Sequence, residues 1–308
     1  MRLHWGVQST TEILISNDMD LTVIVVSYNV SEHLRKCLIT VSKACQGIDC
    51  EIYVVDNNSD DNSCSMVDED FSHIYLIRNK TNAGFSVANN QAIRLARGRY
   101  ILLLNPDTLV EEDTLIKCIR FMDSHIDAGV LGVKMVNGDG EFLPESKRAL
   151  PSAGSAFFKS FGLSYLFPRL NVFNRYYLPT VGIDQTAKSE VISGAFMFIR
   201  RETLKITGLL DEDYFMYGED IDLSYRILEA GYFNYYFPEV KVIHLKGCST
   251  PRHKYDDIFN FYKAMRIYVE KRSAEGKLSY FSYFIIPGIY LRESLALLAR
   301  FLKIAFHY

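Results

Sequence analysis

Short apolar runs rich in β-branched residues alternate with stretches of helical spacing along the first third of the chain. The strand-like runs are 21–26, 51–55, 74–78 and 100–104. Between them, helices are predicted over about 31–45 and 85–96, the first with apolar residues at every third or fourth position. This alternation is typical of an open, mostly parallel α/β sheet flanked by helices.

The second half of the chain has a weaker pattern. Residues 141–181 combine four prolines with many aromatic side chains, which indicates a long and only partly helical excursion. The elements predicted after it are a strand over 191–199 interrupted by Gly194, a helix over about 222–230, short strands over 235–237 and 240–244, and a helix over 256–271.

These patterns divide the chain into three parts. We expect a loosely ordered N-terminal extension over 1–18, a sheet domain over 19–255 and a C-terminal helical segment over 256–308. Within that last segment, residues 278–291 carry no formal charge but are too few to span a bilayer, and Pro287 interrupts them. Two interpretations remain open, a buried terminal pair of helices or a helix lying in the plane of a membrane surface.

Composition narrows the classes of function. The chain has 308 residues, 48% of them hydrophobic, a formal charge of -3 and a pI of about 6.2, which excludes a disordered chain and argues against a nucleic-acid-binding protein. The six cysteines have no zinc-like or redox-like spacing, so we expect reduced thiols. The first 18 residues lack a secretory pattern, and we expect a cytoplasmic protein, which is peripheral at the inner face of the cytoplasmic membrane if its C-terminal segment binds there.

Polar clusters follow all four strands of the first half. They are 27–29, 56–60, 82–85 and 105–107. Each cluster alone is ordinary turn chemistry, because Asn, Asp, Gly and Ser favour turns and helix caps. Four clusters at one edge of a parallel sheet instead favour a shared ligand site, since ligands bind beyond the carboxyl ends of such strands.

The same clusters carry a family resemblance. Ser27-Tyr28-Asn29, Val55 to Ser59, Asn82 to Phe85 and Leu104 to Asp107 resemble the ordered motifs of family 2 glycosyltransferases, as do Gly194-Ala195 and Tyr217 to Leu223. Within that family the sequence is most similar to bacterial rhamnosyltransferase-like enzymes of surface polysaccharide synthesis. The resemblance spans about 21–250 and implies a GT-A fold, a nucleotide-sugar donor, a divalent metal and inversion at the anomeric carbon.

The resemblance assigns a donor site to the strand ends. It implies that the nucleotide sugar contacts Ser27, Tyr28, Asn29, Asp56, Asn82, Gly84, Phe85 and Asp107. The chemistry of Asp56 fits, because a carboxylate accepts hydrogen bonds from a pyrimidine imide N–H or a ribose hydroxyl, as UDP or dTDP would offer. An Asx turn into the next helix is the alternative explanation of Asp56.

A metal site is implied at Asp107. Mn²⁺ or Mg²⁺ is usually held by one or two carboxylates together with substrate phosphates. The sequence departs from the acidic form of the family motif, because position 105 is Asn. The resemblance suggests His244 as a second ligand, and imidazole suits manganese better than magnesium.

Catalysis is assigned to an acidic cluster. Inverting transfer needs a base that takes the proton of the acceptor hydroxyl, and the resemblance implies Asp220 in this role. Glu219 and Gly194 are expected to contact the acceptor, while Asp222 is better explained as an acid that the helix dipole favours. Crowding among these acids is expected to raise carboxylate pKa values.

The expected activity is transfer of a sugar, rhamnose or another hexose, from a UDP- or dTDP-sugar to a glycan or lipid-linked acceptor. Two rivals are a nucleotidyltransferase and a non-catalytic nucleotide-sugar-binding protein. The first usually has a glycine-rich, basic loop after the first strand, and residues 27–32 contain neither glycine nor Lys or Arg. Retention of Asp107 and Asp220 argues against the second.

Overall fold

The fold is that of a computed structural model, which describes residues 19–151, 175–245, 255–277 and 279–305. The predicted N-terminal extension and the central part of the proline-rich excursion lie outside the described residues. The domain boundaries predicted from the sequence therefore stay predictions.

The first half alternates strands and helices as predicted. Its elements are β1 (Leu21–Ser27), α1 (Ser31–Ala44), β2 (Cys50–Asp56), α2 (Ser63–Asp70), β3 (Tyr75–Arg78), α3 (Phe85–Ile93) and β4 (Tyr100–Leu104). All residues of β1 and β4 are buried, as expected of strands covered on both faces. Only α2 was not predicted, because its short and polar sequence has almost no apolar periodicity.

The second half adds strands to the same sheet. Its elements are β5 (Thr108–Val110), α4 (Thr114–Ser124), β6 (Ala128–Val136), β7 (Ala187–Ser189), β8 (Phe196–Arg200), α5 (Arg201–Thr207), α6 (Glu219–Glu229), β9 (Phe233–His244), α7 (Asp256–Ala274) and α8 (Ser279–Ala305). The two short strands predicted over 235–237 and 240–244 form one strand, β9, whose pairing with β6 shifts register once in between. The strand predicted over 191–199 begins only at Phe196, after Gly194.

The sheet is mixed, with the order β3-β2-β1-β4-β8-β6-β9-β5 and with β7 also paired to β9. In the described part of the chain, four strand pairs are parallel and four are antiparallel. The α/β class is thus confirmed, but the parallel order predicted for most of the sheet is confined to the β3-β2-β1-β4 half and the β6–β9 pair. The antiparallel part begins at β8, which runs between β4 and β6.

Helices cover both faces of the sheet. One buried cluster joins the strands to α1, α2 and α4, through side chains such as Leu34, Met66 and Ile119. A second cluster on the opposite face joins them to α3, α5 and α6, through Ala88, Leu204 and Leu223. This three-layer packing fixes the strand ends, from which the polar loops extend at one edge.

The two C-terminal helices form an antiparallel pair. Val269 of α7 packs with Ile285 and Ile289 of α8, and an ion pair of 2.5 Å joins Arg266 to Glu293. The helix α8 continues through Pro287, contrary to the predicted interruption. Pro287 lies on the exposed face, where a carbonyl that loses its N–H partner can be hydrated.

The outward face of α8 is apolar. We call it the outer stripe; it consists of Tyr283, Phe284, Tyr290, Leu291, Leu295, Leu298, Phe301 and Leu302, which are 43 to 80% exposed. These residues recur at the three- and four-residue spacing of one helix face, whereas the charged Glu293 is buried against α7. One face of the helix pair is thus buried, as in the first interpretation, whereas the membrane interpretation stays a prediction.

Candidate active site

The ends of β1 and β2 place two buried polar side chains side by side. Ser27 pairs with Asp56 in the parallel register, and both are at most 2% exposed. One carboxylate oxygen of Asp56 accepts the N–H of Ser59 at 2.9 Å, which is the predicted Asx-type turn. Its other oxygen and the Ser27 hydroxyl are buried without a hydrogen-bond partner among the described residues. Such unsatisfied groups are costly, and they indicate a ligand at this point.

The two loops that follow these strands are tied together. The backbone N–H of Asn29 donates to the Ser59 hydroxyl at 2.9 Å, and the Asn29 side-chain oxygen accepts the N–H of Asp60 at 2.7 Å. Asn29 and Asn58 both have positive φ values, of 55° and 65°, which Asn tolerates better than most residues. Tyr28, directly before Asn29, is half-buried.

Asn57 connects the donor loops, a role that its motif did not predict. Its amide donates to the Gly84 carbonyl at 3.1 Å, while its side-chain oxygen accepts from Asn79 at 2.9 Å. The side chain is 3% exposed. Its position directly after the candidate ligand Asp56 was the available signal, because an Asn at a strand end can bridge two loops by offering both donors and an acceptor.

The loop before α3 packs against a later segment of the chain. Gly84 has φ 82°, and a Cβ at this position would lie 2.5 Å from the Phe215 carbonyl oxygen. That oxygen accepts the N–H of Phe85 at 2.7 Å. The close backbone approach that Gly84 permits is thus to Phe215, four residues before Glu219. The Asn82 side chain accepts the N–H of Gly84 at 3.0 Å, within its own loop, and makes no capping hydrogen bond to α3.

Asp107 and His244 face each other across the β5–β9 pair. The Oδ1 atom of Asp107 lies 3.2 Å from Nε2 of His244, and both side chains are largely buried. The backbone N–H of Leu245 donates to the Asp107 carbonyl at 2.9 Å, which fixes the relative position of the two chain segments. Antiparallel pairing of Thr108 with His244 brings together residues that are far apart in sequence.

These two side chains fit a divalent metal whose remaining ligands come from a substrate. One carboxylate and one imidazole are a small donor set, suited to Mn²⁺ when phosphate oxygens supply the remainder. The Nδ1 atom of His244 is buried without a described hydrogen-bond partner. No cluster of three or more His, Cys, Asp or Glu ligands occurs in the part of the chain that the structure describes.

The acidic pair at the start of α6 lies against Gly194. A Cβ on Gly194 would be 3.6 Å from Cβ of Asp220 and 3.7 Å from a carboxylate oxygen of Glu219. The backbone N–H of Gly194 donates to Asp220 at 3.2 Å, and the N–H of Asn105 donates to the next carbonyl, that of Ala195, at 3.1 Å. The segment 194–195 therefore joins the acidic pair to the loop that carries Asp107.

Asp220 is paired with a cation that sequence reasoning missed. A guanidinium nitrogen of Arg148 lies 2.5 Å from Oδ2 of Asp220, and the two side chains are only 12% and 13% exposed. Arg148 is also within 3.4 Å of the Tyr176 hydroxyl. Both residues belong to the excursion over 141–181, which has no periodic pattern that could have indicated this role.

The carboxyl group of Glu219 has a shifted pKa. Burial, together with the negative charge of Asp220, raises the pKa of Glu219 to about 8, although Arg148 opposes the shift. Its Oε2 atom has no hydrogen-bond partner among the described residues. A buried carboxyl that keeps its proton near neutral pH can donate a hydrogen bond to a ligand.

Asp222 has a structural position, as its place in a first helical turn suggested. It is 1% exposed and accepts hydrogen bonds from Arg226 at 2.8 Å and from Arg272 at 3.1 Å. Arg272 belongs to α7, so Asp222 ties the helix of the acidic pair to the C-terminal helices.

Comparisons with known proteins identify the family of the chain. The family model described as glycosyl transferase family 2 matches residues 22–206, which is more than half of the chain. The N-acetylglucosaminyl-diphospho-decaprenol L-rhamnosyltransferase of Mycobacterium tuberculosis is 26% identical over 263 residues, covering 82% of this chain and 84% of the relative. The rhamnosyltransferase WbbL of Escherichia coli is 28% identical over 233 residues, covering 72% and 82%.

Solved structures share the fold. TarS 1-349 of S. aureus superposes with a TM-score of 0.56 at 19% identity, covering 83% of this chain and 66% of TarS 1-349. The mannosyltransferase PcManGT of Pyrobaculum calidifontis, solved with GDP-Man and Mn2+, has a TM-score of 0.56 at 18% identity and covers 93% and 80%. The predicted GT-A sheet followed by C-terminal helices is thereby confirmed.

Proposed function

The chain belongs to the glycosyl transferase family 2, and on this premise we propose that it is an inverting enzyme that uses a UDP- or dTDP-sugar. The transferred sugar is rhamnose or another hexose, and the acceptor is a hydroxyl of a glycan or lipid-linked saccharide in cell-surface polysaccharide synthesis. The similarity to two rhamnosyltransferases supports the sugar class. The name of the first, which contains a diphospho-decaprenol group, supports a lipid-linked acceptor.

One observation carries this proposal. The segment 194–195 donates a hydrogen bond to Asp220 and accepts one from Asn105, two residues before Asp107. A base on one side and a phosphate-binding group on the other are what in-line displacement of a nucleoside diphosphate requires. The unsatisfied atoms of Ser27 and Asp56 support a nucleotide at the same sheet edge.

The side chains then have distinct roles. Asp56 and Ser27 bind the nucleoside, and Tyr28 covers it at the rim. Asp220 takes the proton of the acceptor hydroxyl while the hydroxyl oxygen attacks the sugar on the face opposite the diphosphate. Because Glu219 holds its proton near neutral pH, it donates a hydrogen bond that orients the acceptor.

A divalent metal, Mn²⁺ or Mg²⁺, would be held by Asp107 and His244. When bound, it would supply positive charge next to the diphosphate that leaves. The 3.2 Å approach of the two side chains and the donor types support this assignment. The Mn2+ complex of a protein with the same fold is consistent with it.

We also propose that the outer stripe of α8 contacts a membrane surface. Among the residues that the structure describes, no helix has the length and apolar character needed to cross a bilayer. The stripe instead suits a helix that lies in the interface, with Lys303 beside it to attract anionic headgroups.

A ligand screen tests the proposed function. The melting temperature of the full chain is measured with UDP-, dTDP- and GDP-sugars, each with and without Mn²⁺, because ligands that bind the folded state raise it. We expect stabilisation by a uridine or thymidine sugar that increases with metal. Stabilisation by nucleoside triphosphates alone would point to a nucleotidyltransferase instead.

A further inference from the structure

A cleft of about 640 Å³ lies between the two C-terminal helices and the loop that leads into the acidic pair. Its lining comes from the first half of α7, the second half of α8 and one residue of the loop. The lining residues that matter here are Tyr217, Phe261, Tyr262, Asp257, Arg300 and Lys303. Apart from Lys303, which also adjoins the outer stripe, none of them has a role in the proposed function as argued so far.

The cleft lies beside the proposed catalytic acids. Tyr217, on its wall, is two residues before Glu219, and Gly218 between them has φ 84°. A Cβ on Gly218 would lie 3.3 Å from Ala264 of α7, so the helix packs directly against this loop. The loop 217–218 therefore connects the wall of the cleft directly to the acidic pair.

The wall of the cleft combines aromatic rings with cations. The rings of Tyr217 and Phe261 meet edge to face at 6.2 Å, and those of Phe261 and Tyr262 at 5.4 Å. Asp257 is the acidic group of the lining, and its carboxylate pairs with Arg300 at 2.9 Å. With that pair neutral, Lys303 gives the lining a positive charge. The combination suits an amphiphile with an anionic end.

The cleft also adjoins the outer stripe. Ala299 and Lys303 line the cleft, while Leu298 and Leu302, their neighbours along the helix, belong to the stripe. The stripe and the cleft therefore meet along the last turns of α8, where an apolar chain on the stripe could reach the cleft. Neither a soluble glycan nor a nucleotide would use an exposed apolar path of this kind.

We propose that this cleft binds the phosphorylated end of a long-chain lipid that carries the acceptor sugar, with the lipid chain lying along the outer stripe. The inference rests on the proposed function, because it names the acceptor of the same site. Lys303 contacts the phosphate, and the rings of Tyr217 and Phe261 contact the first carbons of the chain. The sugar beyond the phosphate then reaches Glu219 and Asp220.

Three small probes test the site on the full chain. Farnesyl diphosphate has both the apolar chain and the anionic end, farnesol has only the chain, and inorganic pyrophosphate has only the anion. Calorimetric titration should show that the complete amphiphile binds at least about tenfold more tightly than either part. Lys303→Glu and Phe261→Ala should each weaken its binding about tenfold, as expected for loss of a charged or aromatic contact.

The matched control is Lys277→Glu. It reverses the charge of an exposed lysine that pairs with Glu229 at 2.7 Å and does not line the cleft. It should leave the affinity for farnesyl diphosphate unchanged, and thermal unfolding checks that each variant is folded. Equal binding of pyrophosphate and farnesyl diphosphate would overturn the lipid assignment. Binding that neither cleft variant weakens would place the lipid elsewhere and overturn the site.

Failure of this inference differs from failure of the proposed function. Nucleotide-sugar binding by the wild-type chain is measured separately in the same buffer. If the nucleotide sugar binds and farnesyl diphosphate does not, the cleft assignment is wrong and the transferase assignment stands. If only farnesyl diphosphate binds, the cleft assignment stands and the donor assignment is wrong.

Discussion

The guanidinium of Arg148 and the carboxylate of Asp220 form an ion pair of 2.5 Å, with both side chains almost completely buried. The pair joins a segment near the middle of the chain to the first turn of α6. Removing one member of a buried pair leaves the other charge uncompensated, which is far more costly than loss of an exposed pair. Arg148 therefore fixes the position of the proposed base and compensates the negative charge of its carboxylate in a buried site.

Replacing the proposed base should abolish most of the transfer. Asp220→Asn keeps the volume of the side chain but removes its capacity to accept a proton, so the transfer rate should fall about 10²- to 10⁴-fold. Affinity for the donor should change little, because the proposed base faces the acceptor rather than the nucleotide. Transfer rate and donor affinity are measured under the same metal concentration.

The neighbouring acid provides the matched variant. Glu219→Gln keeps a hydrogen-bond donor at the position of a carboxyl that is protonated near neutral pH, so its effect on transfer should be milder. The assignment is reversed if Glu219→Gln abolishes transfer while Asp220→Asn leaves it nearly normal.

The sequence predicted the parallel half of the sheet almost to the residue. The strand predicted over 100–104 is β4. A short, continuous run of β-branched and aliphatic residues between polar turns favours a strand that is buried on both faces. The motifs after these strands also placed Asp56 and Asp107 at one sheet edge. Local pattern was sufficient where the packing partners are close along the chain.

Long-range contacts were not predictable in the same way. The pairing of Arg148 with Asp220 joins residues 72 positions apart, and no local pattern specifies it. The approach of Gly84 to the Phe215 carbonyl also depends on how two loops meet. The raised pKa was expected from crowding among the acids, but its location on Glu219 depends on burial, which only the fold determines.

A variant of the nucleotide pocket should weaken donor binding alone. Asp56→Ala removes the buried oxygen that lacks a described partner, and nucleotide affinity should fall by about 1–3 kcal/mol. Asp60→Ala is the control, since this acid is exposed four residues further along the same loop. Calorimetry with UDP and dTDP measures both variants. Unchanged affinity in Asp56→Ala would remove this residue from the nucleotide site.

The metal assignment predicts a graded loss. Asp107→Ala should reduce metal-dependent turnover more than His244→Ala, because a carboxylate is the stronger ligand for either Mn²⁺ or Mg²⁺. The control is His73→Ala, a histidine that contacts Ser42 outside the proposed site. Turnover is measured against metal concentration. Full activity in excess chelator would contradict the assignment and leave basic side chains to neutralise the diphosphate.

The titration of Glu219 predicts a pH dependence of stability. Its pKa is about 8 in the folded protein, well above the ordinary value of 4.5, so the folded state holds a proton that the unfolded state releases between these values. Stability from this group is therefore fully present below about pH 4.5 and is lost as the pH rises towards 8. From pH 6 to 8 the melting temperature of the wild type should fall by about 2 °C or more beyond that of Glu219→Gln. Parallel curves for the two proteins would contradict the buried, protonated carboxyl.

The last prediction concerns the outer stripe. Replacing Phe284, Leu291 and Leu298 together by Ser removes apolar contact area from an exposed face, so the folded core should lose little stability. Binding to anionic liposomes should fall at least about tenfold, because each large side chain contributes roughly 1.5–3 kcal/mol when it leaves water.

Two comparisons make the liposome experiment decisive. The control replaces three exposed apolar residues elsewhere, Leu95, Ile126 and Ile206, and should leave liposome binding unchanged. Sedimentation with neutral and anionic vesicles separates the apolar contribution of the stripe from the attraction of Lys303 to headgroups. If the stripe variant still binds vesicles, while the wild type forms dimers that the variant does not form, the stripe is a contact between two copies of the chain. If the variant melts early and aggregates, the stripe belongs to the core, and the membrane assignment is wrong.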